Sequence, residues 1–166
     1  LPKKGTTNIE VRHTPDNSKP RNYLPLLEMD AEENLKDARA WHYLGREYMY
    51  NSRWAEAIYC LEKSCKYEKW LEQKVASLRF ISRCYYRLGA KSLALQKIAD
   101  AISFGISREA YVDMAWLCQQ NEDWAGVIFY VDRALKTQAG NYPSEANAWS
   151  DYPLKLKEEA LMKLRG

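Results

Sequence analysis

The sequence predicts an all-α fold in which antiparallel helix pairs stack side by side, and three observations predict it. Between Ala38 and Ser64, Trp41, Leu44 and Tyr48 fall at i, i+3 and i+7 on one helical face. After a turn at Asn51 and Ser52, Ala57, Leu61 and Ser64 mark the inner face of a second helix. The same frame then recurs twice, as Leu78, Ile81, Ser82 and Tyr85 followed by Ala94, Ile98 and Ala101, and as Tyr111, Met114, Ala115 and Cys118 followed by Val127, Val131 and Ala134. Finally, Trp54 and Trp124 occupy the same place near the start of their second helices, seventy residues apart. A spacing of 37 and then 33 residues marks units that must stack to bury an apolar face.

Composition bounds the rest. The 166 residues are 46% hydrophobic and 28% charged, ordinary for a folded chain that builds one core or a few repeats. A net charge of +3 implies no polyanion partner by itself, so any electrostatic argument depends on where the arginines sit. Cys60, Cys65, Cys84 and Cys118 form no CxxC pair, and His13 and His42 supply no metal-ligand spacing, so no metal or other cofactor is expected. Cys84 and Cys118 fall in helical frames as small apolar residues, which fits a reducing compartment such as the cytoplasm. No apolar run approaches the roughly 18 residues of a membrane span, and LPKKGTTN is no signal peptide. The chain begins at Leu1 without a methionine and is expected to be a piece of something longer.

Taken in order, residues 1–20 are expected as an extended tail, a remnant of a preceding domain, whose alternating run Asn8–His13 reads either as one edge strand or as tail laid against the repeats. Residues 21–34 hold a leading helix capped by Asn22, with Pro25 in its first turn; Tyr23, Leu26 and Leu27 cover the open end of the array. The first unit spans 35–70, with Asp37 as the cap of its first helix. Gly45 and Ala57 are small where its two helices approach most closely. The second unit spans 71–106, with the extra residues of its longer spacing placed in Tyr67–Gln73 and a helix end at Gly89. The third spans 107–137. A Gly-, Asn- and Pro-containing connection, Gln138–Asn147, leads to a last helix over Pro153–Leu164, so that 138–166 is a linker and a partial fourth unit. Its unpaired end offers a surface for self-association.

Trp41-x2-Leu44-Gly45-x2-Tyr48, the turn, and Ala57-x3-Leu61 resemble the tetratricopeptide repeat, and the resemblance covers about Ala38–Ala134. It implies a right-handed superhelical solenoid whose concave face is lined by the first helix of each pair. It also implies a binding module for peptides or proteins, with no catalytic residues. The proline often found at the end of such repeats is absent from all three units.

A looser resemblance covers the front of the chain. Val11-Arg12-His13-x-Pro15 and Lys19–Glu28, running on into Tyr43–Tyr48, together with Tyr111–Trp116 and Asp123-Trp124, look like the C-terminal repeat region of bacterial family 2 glycosyltransferases. That resemblance implies an upstream catalytic domain as a further partner. The sequence contains no DxD motif to hold the metal of such a transferase, so this chain is expected to be non-catalytic. His13 is expected to be a tail histidine without a chemical role.

The face of each first helix turned away from its partner supplies the candidate site. It comprises Arg39, His42, Arg46, Met49 and Tyr50 in the first unit; Ala76, Arg79, Arg83, Tyr86 and Arg87 in the second; and Glu109, Val112, Trp116, Gln119 and Gln120 in the third. Five arginines stand against one glutamate, with rings among them. Guanidinium forks grip carboxylates and phosphates, so the expected ligand is an acidic or C-terminal-carboxylate peptide or protein, or a phosphorylated ligand. The competing reading is a solvated face paired with Glu47, Glu56 and other local acids. Nucleic acid is disfavoured by the modest pI near 8.6 and the lack of an RNA-binding motif, and a membrane surface by the lack of a Lys-rich amphipathic helix. His42 is expected to be a surface histidine, and the acidic run Glu28–Glu33 a solvated helix end.

Overall fold

The computed structural model describes residues 23–138 and 145–165, and among these every regular element is helical. The order is α1 (Leu24–Glu33), α2 (Ala38–Tyr50), α3 (Trp54–Tyr67), α4 (Leu71–Arg87), α5 (Lys91–Ser103), α6 (Arg108–Gln120), α7 (Trp124–Lys136), a 3-10 turn at Ala146–Trp149, and α8 (Tyr152–Arg165). Helices α2 and α3, α4 and α5, and α6 and α7 pack as pairs, with α1 on α2 at one end and α8 on α7 and α6 at the other. The expected edge strand at Asn8–His13, His13 itself and the expected cap Asn22 lie outside the described residues.

Local chemistry explains the helix ends. Asp37 accepts from the backbone amides of Arg39 and Ala40 at the start of α2. Ser107 accepts from Ala110 on α6, and Asp123 from Gly126 on α7. Each pair turns through one residue with positive φ: Ser52 (57°), Gly89 (78°) and Glu122 (57°). These three stand 37 and 33 residues apart, the same spacing as Trp41, Leu78 and Tyr111, so the backbone repeats in the same register as the side chains. Only the second turn uses glycine, the residue that adopts this conformation without steric cost.

The pairs interlock through the positions that the periodicity assigns to the second helices. Ala57, Leu61, Ser64, Ala94, Ile98, Ala101, Val127, Val131 and Ala134 all have 0% exposure. A methyl group on Gly45 would sit 2.7 Å from Leu61 Cγ, so α2 and α3 approach closely enough there to exclude any side chain. Trp41 fills the first pair, its ring edge-on to Tyr59 at 6.1 Å and its indole nitrogen donating to the Leu35 carbonyl at 3.0 Å. Leu78 is likewise buried in the second pair, whereas Tyr111 in the third is only half-buried, at the edge of the small core of Val112, Ala134 and Ala148.

Two expectations are corrected. The extra residues of the second unit are not a longer connection: α4 has 17 residues, against 13 in α2 and α6, and absorbs most of them as an added first turn. The acidic run is not simply solvated, because Glu28 accepts from the Tyr48 hydroxyl at 2.7 Å and ties α1 to α2. Before the last helix, Ala146–Trp149 form the 3-10 turn, with Ala148 buried against α6.

Candidate binding groove

The helices that open each pair, α2, α4 and α6, share one cavity of about 600 Å³. Arg46, Met49 and Tyr50 line it from α2, and Trp54 from the start of α3. Arg79, Phe80, Arg83, Tyr86 and Arg87 come from α4, and Glu109, Val112, Asp113 and Trp116 from α6. Glu145, Asn147, Ala148 and Tyr152 close the far side from the chain leading into α8.

An ionic quartet, buried at Arg79 and half-buried at Arg83 and Glu145, forms its floor. Arg79, 1% exposed, donates from Nε to Asp113 Oδ2 at 2.8 Å. Arg83 donates from Nη2 to Asp113 Oδ1 at 2.7 Å, and from Nη1 and Nη2 to the two oxygens of Glu145 at 2.6 and 2.7 Å. Arg79 Nη2 also lies 3.3 Å from Glu145 Oε1. Burial works against the Arg83 charge, but Asp113 and Glu145 outweigh it and hold its pKa above the ordinary arginine value. Phe80 sits at the hub, with the guanidinium carbons of Arg46, Arg79 and Arg83 at 5.6, 5.9 and 5.7 Å from its ring centre.

The walls are aromatic. Tyr86 and Trp116 meet edge to face at 4.7 Å, Arg46 donates to the Tyr50 hydroxyl at 2.8 Å, and Arg87 stands 6.0 Å from the Trp54 ring. Glu109 is buried, and its carboxylate accepts from the Trp149 indole and from Ser107.

Of the residues singled out from sequence, Arg46, Tyr50, Arg79, Arg83, Tyr86, Arg87, Glu109 and Trp116 line this cavity, and Arg39, His42, Gln119 and Gln120 do not. Arg39 is exposed near the start of α2, and Gln119 donates to Glu159 of α8 at 2.8 Å. Gln120 accepts from the Tyr86 hydroxyl at 3.4 Å. His42 is not a surface residue: it is 1% exposed between α2 and α4, with Nδ1 2.7 Å from Ser77 Oγ, which lies 3.2 Å from Ser64 Oγ. Burial, and then the charge of Arg46, lowers its pKa to about 4. Ser77 is fully buried, so this Ser–His contact joins two repeats and presents no nucleophile to a substrate.

The charge balance also differs from the sequence count. Among the described lining residues four arginines face three acids, a net of +1, because Asp113 and Glu145 enter the cavity. These carboxylates, and not Glu47 or Glu56, pair with Arg79 and Arg83. Asp113 was legible in principle: it lies four residues after Glu109 and three before Trp116, on the same helical face. Phe80, three before Arg83, was legible in the same way, whereas Glu145 and Tyr152 come from another part of the chain and carry no local signal.

Burial raises the thiol pKa of Cys60 and Cys84 to about 12 and that of Cys65 and Cys118 to about 11. Ready thiolate formation is thereby suppressed. Among the described residues no group of three or more His, Cys, Asp or Glu side chains is placed to hold a metal, and no helix is long and apolar enough to cross a membrane.

The helix pairs and their order define a helical-repeat protein of tetratricopeptide-like architecture. Two crystal structures of MamA are similar to it. One superposes with a TM-score of 0.59 at 15% identity over 86% of each chain. The other gives 0.58 at 14% identity over 86% of this chain and 77% of that one. At such identity the likeness shows the fold alone. No protein-family profile and no curated protein matches the sequence.

Proposed function

We propose that the chain is a peptide-binding module whose ligand lies across α2, α4 and α6 in the 600 Å³ cavity. The observation that carries this reading is the meeting of four guanidiniums with six rings, Tyr50, Trp54, Phe80, Tyr86, Trp116 and Tyr152, in one concave space. Such walls take a flat or apolar side chain, while Arg46 and Arg87 stand ready for an acidic one. With four guanidiniums against three carboxylates among the described lining residues, ring contact and charge both contribute to this reading. In this reading 35–70, 71–106 and 107–137 are three repeats, with 21–34 as a leading cap and 138–166 as a linker and partial fourth. The four free cysteines support a reducing compartment such as the cytoplasm.

The test is a fluorescence titration of the protein with a panel of acidic, tryptophan-containing octapeptides. Trp116→Ala and Arg87→Glu are expected to weaken the best peptide by about tenfold or more, the range of interface anchors. Arg87→Glu is expected to lower stability by no more than about 1 kcal/mol, because Arg87 is exposed in the last turn of α4. Equal affinity in wild type and both variants would sink the reading.

The likeness of residues 11–28 to the repeat junction of family 2 glycosyltransferases supports a finer reading, in which this module is the C-terminal accessory region of a larger, glycosyltransferase-like enzyme. The alternative is a free-standing adaptor. The complete reading frame of the gene separates them: an upstream α/β domain bearing a DxD motif supports the first, and a start near Leu1 the second.

A further inference from the structure

We propose that Arg79 and Arg83 form a carboxylate-binding site that the chain's own Glu145 occupies, so that an acidic ligand enters the groove by replacing Glu145. The proposal rests on the groove reading above and assigns it an internal competitor.

The four members of the quartet are not equivalent. Arg79 and Asp113 are fixed by burial, with side chains 1% and 14% exposed, and their helices α4 and α6 pack against each other. Arg83 and Glu145 are the open half, at 34% and 28%. Glu145 reaches Arg83 across 62 residues of sequence, from outside the repeating frame. It engages the guanidinium with both oxygens at 2.6 and 2.7 Å, the fork-to-fork geometry that an external carboxylate would adopt.

Without Glu145, Arg83 keeps only its bond to Asp113 Oδ1, and the half-buried cavity loses one negative charge. An arriving carboxylate restores the balance. The Nη1–Nη2 edge of Arg83 that Glu145 holds takes one bidentate carboxylate at a time, Asp113 reaching Nη2 with a single oxygen. Ligand and Glu145 therefore compete. The apparent affinity of wild type is lower than the intrinsic affinity by the fraction of molecules in which the fork is free.

The experiment uses a fluorescein-labelled hexapeptide with one tryptophan, two glutamates and a free C-terminus, beside its counterpart with glutamines and an amidated end. Glu145→Ala and Glu145→Gln are each expected to bind the acidic probe roughly tenfold tighter than wild type and the neutral probe unchanged. Adding Arg83→Gln to either variant removes the gain. If both Glu145 variants melt as wild type does yet bind the acidic probe no tighter, the proposal is overturned. The unmodified protein supplies a second readout that needs no variant to fold: the side-chain N–H resonances of Arg83 shift on titration with the acidic probe and not with the neutral one. Resonances that stay fixed at saturating acidic probe would equally overturn it. The two readings fail separately. Loss of peptide binding in Trp116→Ala with no effect of Glu145→Ala removes this proposal and keeps the groove. A gain in Glu145→Ala with Trp116→Ala neutral keeps the carboxylate site and removes the aromatic groove.

Discussion

His42 shows how much a single buried ring decides. It lies between α2 and α4 against Ser77 and Phe80, and burial lowers its pKa from 6.5 to about 4, with Arg46 as the second cause. Above pH 6.5 the ring is neutral in both the folded and the unfolded chain, and its contribution to stability is fully present. As pH falls from 6.5 towards 4, the unfolded chain binds a proton that the folded chain refuses, so stability falls. At about 1.36 kcal/mol per pKa unit, a shift of this size removes roughly 3 kcal/mol by pH 4. Urea unfolding at pH 7 and pH 4.5 is expected to show a larger loss for wild type than for His42→Gln. Parallel losses would show that the ring is not the titrating group. Sequence periodicity placed His42 on an open face because it describes one helix at a time. The outer face of α2 packs on α4 of the next repeat, and a neighbour 35 residues away leaves no local trace. The nine inner positions of the second helices were legible for the opposite reason: their burial is decided within their own pair or by the next helix in sequence.

At the scale of the element, the turns repeat more faithfully than the residues in them. Ser52, Gly89 and Glu122 share one left-handed conformation, yet only Gly89 suits it, and a methyl group there would meet nothing within 4 Å. Backbone preference alone is therefore at stake. A non-glycine residue pays about 1–2 kcal/mol for this conformation, partly offset by the greater freedom that glycine has when unfolded. Gly89→Ala is expected to lower unfolding free energy by about 1 kcal/mol, and Ser52→Gly and Glu122→Gly each to raise it by roughly 0.5 kcal/mol. Chemical denaturation of the three variants checks the signs; a gain in Gly89→Ala would contradict them. The positions of these turns could be read from Asn51-Ser52 and Leu88-Gly89, but the extra turn of α4 could not. Nothing in Leu71–Gln73 distinguishes a longer helix from a longer connection, and the choice falls to packing against α3.

Across the whole molecule, α4 is the element on which both halves depend. Its Ala76, Phe80, Ile81 and Cys84 belong to the core built with α2 and α3, while Val75 and Leu78 belong to the core built with α5, α6 and α7. Ten of its residues are buried, against one, Ala31, in α1. In a stacked array each unit draws its stability from its own packing and from its nearest neighbours, so a terminal helix with one neighbour opens more cheaply than a central one. Local openings then span a range from near zero at the ends to the global unfolding free energy at the centre. Amide hydrogen exchange is expected to be slowest over Leu78–Cys84 and fastest in α1, with α8 between them, because Pro153, Leu156 and Ala160 anchor it on its neighbours. The separation between α4 and α1 should exceed about 2 kcal/mol in apparent opening free energy. Destabilising α1 by Leu27→Ala should speed exchange in α1 and leave α4 almost unmoved. Exchange in α4 that rose in step with α1 would mean that the array opens as one cooperative block, and the nearest-neighbour account of its stability would fail.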